Sequence, residues 1–290
     1  MTFFLENESV KVSVRQKGAE LVSIYNKSTH LEYLWSGDPA YWAKHSPILF
    51  PIVGALKDNQ YLYDGKSYTL SRHGFARDMD FELEEESEHS LTFLLKSNAD
   101  TQAVYPFEFR LRIKYTLLEN ELSVQYQVSN QDSKEMLFSV GGHPAFRVPL
   151  TPETQYTDYY LEFNETEDFN RWPLAESGLI DREPTPVAEN TNRIALSHEL
   201  FAQDALVFKH LKSTSVILKS DHTPYQLSFD FGEFPYLGIW AAPQAPFVCI
   251  EPWCGIADSV DHDQQLATKE GITRLAAGEE CKRTWSVTVS

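Results

Sequence analysis

From Phe107 to Tyr115 the chain alternates without interruption: Phe107, Phe109, Leu111, Ile113 and Tyr115 fall on one side, Glu108, Arg110, Arg112 and Lys114 on the other. In an extended chain successive side chains point to opposite faces, so this run has one face to bury and one to wet as a strand. Wound at about 3.6 residues per turn, it would spread apolar groups all round a helix. After Leu118-Glu119-Asn120 the pattern resumes with Leu122, Val124, Tyr126 and Val128, which predicts a long antiparallel hairpin. A second hairpin is predicted over residues 61–68, where Asp64-Gly65 supplies the positive φ angles of a two-residue turn. Further strands are expected at 10–14, 21–25, 81–84, 91–95, 215–218, 226–231, 238–240, 247–250 and 284–289, and short helices only near 39–44 and 198–203.

No repeat, low-complexity tract or flexible linker divides the 290 residues, so the expectation is a single all-β domain over 1–290: a large antiparallel β-sandwich with few short helices. Residues 151–186 are polar with scattered prolines, and read either as a long surface excursion or as a wall beside a site. The 18 Phe, 14 Tyr and 6 Trp fit strand-rich cores first and a sugar-stacking surface second.

With 25 basic against 42 acidic residues the net charge is −17, which repels phosphate backbones and anionic lipid. Nucleic acid and membrane are therefore not expected partners, and no apolar run has the roughly 18–20 residues that cross a bilayer. The opening residues show no basic segment leading into an apolar one, so no signal peptide is expected. Cys249, Cys254 and Cys281 are odd in number and lack zinc or redox spacing, which predicts a reduced, cytoplasmic protein.

Three stretches break the alternation and carry the chemistry-bearing side chains. In Gly141-Gly142-His143-Pro144 two glycines permit close backbone approach, and the imidazole can hold or release a proton near neutrality. Glu251 closes the apolar run Val248-Cys249-Ile250, where burial would raise its pKa and suit it to general-base work; Trp253 would share its face if the strand continues. His73 lies between Arg72 and Arg77, and Arg77 could offer a planar fork to sugar hydroxyls or phosphate, or simply pair with Asp78 or Asp80. Each of these side chains has an ordinary structural alternative, a backbone-satisfied histidine or a surface ion pair.

Taken together, Pro47-Ile48-Leu49-Phe50-Pro51-Ile52-Val53-Gly54, His73-Gly74-Phe75-Ala76-Arg77, Gly142-His143-Pro144 and Ile250-Glu251-Pro252 resemble the aldose 1-epimerase family, on the branch near the hexose-6-phosphate mutarotases. The motifs follow in the family's order along nearly the whole chain. The resemblance implies a β-supersandwich and interconversion of the α and β anomers of a hexose or hexose phosphate by acid/base ring opening, with no cofactor and no metal. It implies Glu251 as base, His143 as acid, and His73 and Asp204 as sugar-binding residues, with Arg77, Lys57 and Trp253 as further substrate contacts. Where the phosphate-sugar branch carries Arg-Gly-Gly, this chain has Ala43-Lys44-His45-Ser46, so Arg77 lacks its expected partner; Lys44 or Lys57 could stand in as a point charge. The expected partner is a small sugar, and the expected assembly a monomer or homodimer. Three other readings use the same residues: a sugar-binding module without catalysis, a glycoside hydrolase with Glu251 and Asp204 as paired carboxylates, and a non-haem iron site of His73, His143 and Glu251.

Overall fold

The structure, a computed structural model, describes residues 1–232 and 234–290. The alternating run forms an interior strand of its largest sheet. Strand Phe109–Leu118 pairs with Glu121–Asn130, and the register sets Leu111, Ile113 and Tyr115 against Val128, Tyr126 and Val124 on the buried face. Glu119 turns the corner at φ 52°. Nine strands make this sheet, in the order Thr185–Ala195, Tyr159–Arg171, Ser215–Ser220, Leu227–Asp230, Glu280–Val289, Glu121–Asn130, Phe109–Leu118, Ser90–Lys96 and Glu82–Glu86.

A six-stranded sheet faces it: Leu206–Lys209, Tyr236–Trp240, Phe247–Trp253, Gly141–Gly142 and Ile48–Leu49 in order, with Ala145–Arg147 also paired to Phe247–Trp253. The interior between them holds Leu111, Ile113, Tyr126, Phe229 and Trp285 from the larger sheet and Ile48, Leu237, Ile239, Val248 and Ile250 from the smaller. A four-stranded sheet, Thr2–Glu6, Val10–Arg15, Glu20–Asn26 and Leu31–Glu32, adds Val12, Val14 and Leu21 to the same core. Burying each large side chain contributes about 1.5–3 kcal/mol, and the Trp285 indole loses nothing by it, because Nε1 donates to Tyr126 Oη at 2.7 Å. All pairings between these strands are antiparallel, and the architecture is the large antiparallel β-sandwich expected from the sequence.

Three expectations need amendment. Residues 39–44 form a turn, not a helix, because Trp42 is drawn into an aromatic cluster with His143, Trp240 and Phe247. A helix unforeseen in the sequence, Ala99–Val104, is too short to show periodicity; it is held by a reciprocal capping pair between Asn98 and Thr101. The 151–186 segment is not simply an excursion. It contains the 13-residue strand Tyr159–Arg171, whose alternation is hidden by register shifts against Thr185–Ala195 and by Glu167, a buried carboxylate accepting from the Ser213 N–H and hydroxyl.

Strand Phe247–Trp253 is buried at every position, because the six-stranded sheet is covered on both faces. One face meets the core. The other carries a second apolar cluster of Leu49, Val53, Val207, Tyr236, Trp253, Ile256 and Ala257, and above it lies the cavity.

Candidate active site

The strand that begins at Phe247 continues past Ile250 to Trp253, so Glu251 and Trp253 share a face. The neighbouring strand places Gly238 opposite Glu251 and Tyr236 opposite Trp253. A Cβ at residue 238 would come within 2.5 Å of the Trp253 ring, and one at Gly141, on the other side, within 2.7 Å of Trp253 Cδ1. The two glycines are the space in which that indole lies beside the carboxylate. Gly141 and Gly142 pair with Leu49 and Ile48, and the chain then turns at His143-Pro144 to deliver the imidazole over the strand.

His143 Nε2 stands 3.2 Å from Glu251 Oε2, with both residues buried. Trp42 stacks on the imidazole at 4.8 Å between centroids, and Trp240 meets it edge-on at 5.7 Å. His73 approaches it edge-on at 5.8 Å. His73 itself sits at φ 69°, a left-handed conformation that a non-glycine residue holds at a cost of about 1–2 kcal/mol. It is pinned by Gly54 from both sides: the His73 N–H donates to Gly54 O at 2.9 Å, and the Gly54 N–H donates to His73 Nδ1 at 3.1 Å. With Nδ1 accepting, the ring proton of neutral His73 is on Nε2.

Burial governs the electrostatics. Desolvation pushes Glu251 well above the usual carboxylate range, and the nearby Asp204 charge adds to the rise. The Trp253 indole works in the opposite sense, although neither its Nε1 nor either Glu251 oxygen completes a hydrogen bond. Desolvation also draws His143 down to about 3, aided by the Arg77 charge, and lowers His73 well below its ordinary value. Burial therefore favours the neutral pair, protonated Glu251 beside unprotonated His143. Among the described residues no hydrogen-bond partner reaches His143 Nδ1, Glu251 Oε1 and Oε2 or Trp253 Nε1. So many buried polar atoms without a protein partner in one place call for water or a polar ligand in the cavity to satisfy them.

The cavity above measures about 530 Å³ and is lined by Trp42, His73, His143, Asp204, Trp240, Glu251 and Trp253 among others. A depression of about 630 Å³ lies elsewhere, among the loops around Asn7, Asn26, Glu119 and Ser290, and holds no buried acid–base pair. Of the residues singled out in the sequence, His73, His143, Asp204, Glu251 and Trp253 come together at the cavity; Arg77 and Lys57 are not among its lining residues. Arg77 Nη2 donates to Arg72 O at 2.8 Å, and its Nε lies 3.7 Å from Asp78. Lys57 Nζ donates to His262 O at 3.1 Å, and Lys44 pairs with Asp78 at 2.8 Å. The cavity wall adds Arg72, Trp42, Trp240 and, from the 151–186 segment, Leu174, Gly178 and Ile180. Sequence reasoning passed over Trp42 and Trp240 because nothing local distinguishes a site tryptophan from a core one. Arg72 carried a signal, its place immediately before His73.

The iron alternative needs His73, His143 and Glu251 around one point. Among the described residues the donors that gather within 4.8 Å are instead His143, Cys249 and Glu251, and burial holds the Cys249 thiol well above its ordinary pKa, away from the thiolate a metal prefers.

The model of the family described as Aldose 1-epimerase matches residues 1–278. This chain belongs to the aldose 1-epimerase family. Over 298 aligned residues it is 38% identical to the chromosomal LacX protein of Lactococcus lactis subsp. lactis, covering 100% of this chain and 99% of that one. It superposes on a galactose mutarotase related enzyme from Lactobacillus acidophilus with a TM-score of 0.96 at 38% identity, covering 100% of this chain and 97% of the other. A galactose mutarotase-like protein from Lactobacillus casei gives a TM-score of 0.94 at 34% identity, with both chains wholly covered. As an aldose 1-epimerase the chain is an isomerase, and mutarotation is the general chemistry its membership supports.

Proposed function

We propose that this epimerase interconverts the α and β anomers of an aldohexose by ring opening at Glu251 and His143, in a single domain that spans 1–290. The 3.2 Å contact between His143 and Glu251 carries the reading. A binding module has no use for a matched acid and base in contact, and a glycoside hydrolase would leave the histidine idle.

Ring opening removes a proton from the anomeric O1 hydroxyl and delivers one to the ring oxygen. Glu251 as carboxylate takes the first and His143 as imidazolium gives the second, each contributing about 10²–10⁴-fold. Once the ring is open, Glu251 is protonated and His143 neutral, the arrangement that burial favours in the unliganded site. Rotation about C1–C2 presents the other carbonyl face, and the reversed transfers close the ring to the other anomer. The ionic pair that starts the cycle forms by transfer between Glu251 Oε2 and His143 Nε2, as sugar hydroxyls satisfy the orphaned polar atoms around it.

His73 donates from Nε2 to a sugar oxygen, Asp204 accepts from a sugar hydroxyl, and the Trp253, Trp42 and Trp240 rings bound the sugar's apolar face. Arg77 and Lys57 support the wall from outside the cavity. The three unpaired cysteines support a reducing, cytoplasmic setting, no helix among the described residues is long and apolar enough to cross a membrane, and the assembly is a monomer or homodimer.

Polarimetry on freshly dissolved α-glucose and α-galactose tests the proposal, with glucose 6-phosphate followed by exchange NMR. Wild type accelerates anomer equilibration, and Glu251→Gln and His143→Ala each lose about 10²–10⁴-fold of that acceleration. A folded wild type that accelerates none of the three sugars refutes it.

A further inference from the structure

We infer that Asp258 and Lys269, a buried ion pair behind the cavity, are positioning residues for the proposed reaction: they fasten the wall that carries His73 to the wall formed by Leu174, Gly178 and Ile180, and so set where a sugar lies against Glu251 and His143. The inference goes beyond the proposed function and rests on it only for the reaction that the walls serve. Neither residue lines the cavity, and both are enclosed, with 1% of Asp258 and 2% of Lys269 exposed.

Asp258 is a four-way joint. Its N–H donates to Ala55 O at 2.9 Å, and its carbonyl accepts from the Ile180 N–H at 2.8 Å. Carboxylate Oδ2 accepts from the Lys57 N–H at 2.9 Å, and Oδ1 from Lys269 Nζ at 2.8 Å. On one side stands the loop of Gly54, Ala55 and Lys57. Gly54 grips His73 through both its backbone groups, and at φ 75° it has no room for a Cβ, which would come within 2.5 Å of Ala257 N. On the other side stands the 172–180 wall. The Val260 N–H donates to Ile180 O at 3.0 Å, and Arg72, next to His73, lays its guanidinium over Gly178, where any Cβ would collide with Nη2. The residue after Lys269 fastens the far end of the same wall. Glu270 holds Lys209 Nζ at 2.8 Å, and that ammonium lies 3.7 Å over the Trp172 ring.

Stability alone does not account for the buried pair. Two enclosed charges pay a desolvation cost that a well-packed apolar pair avoids, so such a pair adds little to the folding free energy. Burial accordingly lowers the Lys269 pKa against the pull of Asp258. What charged partners supply is short, directional bonds at a fixed place. Here the place is the joint between two walls of the site.

The test compares wild type with two variants. The Asp258→Asn, Lys269→Met double variant removes both charges and leaves an oxygen for the Lys57 N–H; Val12→Ala opens a space in the core beneath the four-stranded sheet. Exchange NMR on glucose, galactose and glucose 6-phosphate gives kcat/KM. The His73 imidazole resonance, assigned by its loss in His73→Gln, reports the grip of Gly54. On the sugar that wild type turns over best, the double variant is expected to lose about 10- to 100-fold in kcat/KM, the effect of a displacement of about 1 Å, and to shift the His73 resonance. Val12→Ala lowers the urea midpoint and keeps both. An equal loss of kcat/KM in Val12→Ala, or a folded double variant with wild-type kcat/KM, overturns the inference. If the double variant does not fold, amide exchange in wild type decides: the N–H groups of Gly54, Lys57, Asp258 and Ile180 open as one unit, with protection factors within about ten-fold of one another, and a wider spread overturns the inference. A wild type that accelerates no sugar refutes the mutarotase reading alone. The His73 resonance then judges this one, a shift in the double variant supporting it and an unmoved resonance overturning it.

Discussion

A histidine whose pKa lies near 3 and a glutamate displaced upward from 4.5 are poor acid and base when judged separately in water. As a pair they share one proton, which burial places on Glu251 in the unliganded site, and the proposed cycle begins when sugar hydroxyls move it to His143. The sign of each shift sets the pH dependence. His143 gains a second proton for the pair only as pH falls toward about 3, and Glu251 surrenders the shared proton only on the alkaline side of its raised value. Enzymatic kcat/KM, corrected for spontaneous mutarotation, is therefore expected to stay level through 6.5, the ordinary imidazole value, and to fall only at the two extremes. An inflection centred on 6.5 in exchange-NMR rates would show that His143 titrates as a solvated side chain.

Among elements, the strand pair Tyr236–Trp240 and Phe247–Trp253 does most to shape the site, and it does so through an absence. Gly238, opposite Glu251, leaves the gap in which the Trp253 ring lies. In Gly238→Ala the added methyl meets that ring, and a well-packed sheet gives way at a cost of about 1–3 kcal/mol. Displacing the indole beside the carboxylate is expected to lower turnover about 100-fold and to shift tryptophan emission, while unfolding in urea reports the stability term. Unchanged kinetics with a lowered urea midpoint would mean that Trp253 only fills space. A second element, the loop around Ala257 and Asp258, is tied down by the buried Lys269–Asp258 pair at 2.8 Å and by the Lys57 N–H on Asp258 at 2.9 Å. Ala257 packs against Gly54, the residue that holds His73, so this ion pair stands behind the cavity wall.

For the whole molecule, the continuous core joining three sheets implies one cooperative unit. Far- and near-ultraviolet circular dichroism are expected to follow one coincident unfolding transition in urea, and a separate early loss of either signal would divide the 1–290 domain. The net charge of −17 acts at this scale as well. It leaves a basic side chain facing the cavity as the local exception.

Strand identity, the two hairpins and the all-β class were legible in the sequence, because alternation and turn chemistry are local and each side chain's face follows from its parity. The chemistry-bearing motifs were legible too: His73, His143 and Glu251 stand where the alternation breaks. The bulged strand Tyr159–Arg171 was not, since register shifts erase parity, and neither was the stacking of Trp42 and Trp240 on His143. Only the tertiary structure decided which arginine faces the cavity. Arg72 and Arg77 are five residues apart with the same charge, and what separates them is a carbonyl for one and a glycine, 106 residues further on, for the other. Local sequence determines which side chains can leave a sheet; long-range packing determines what each of them meets.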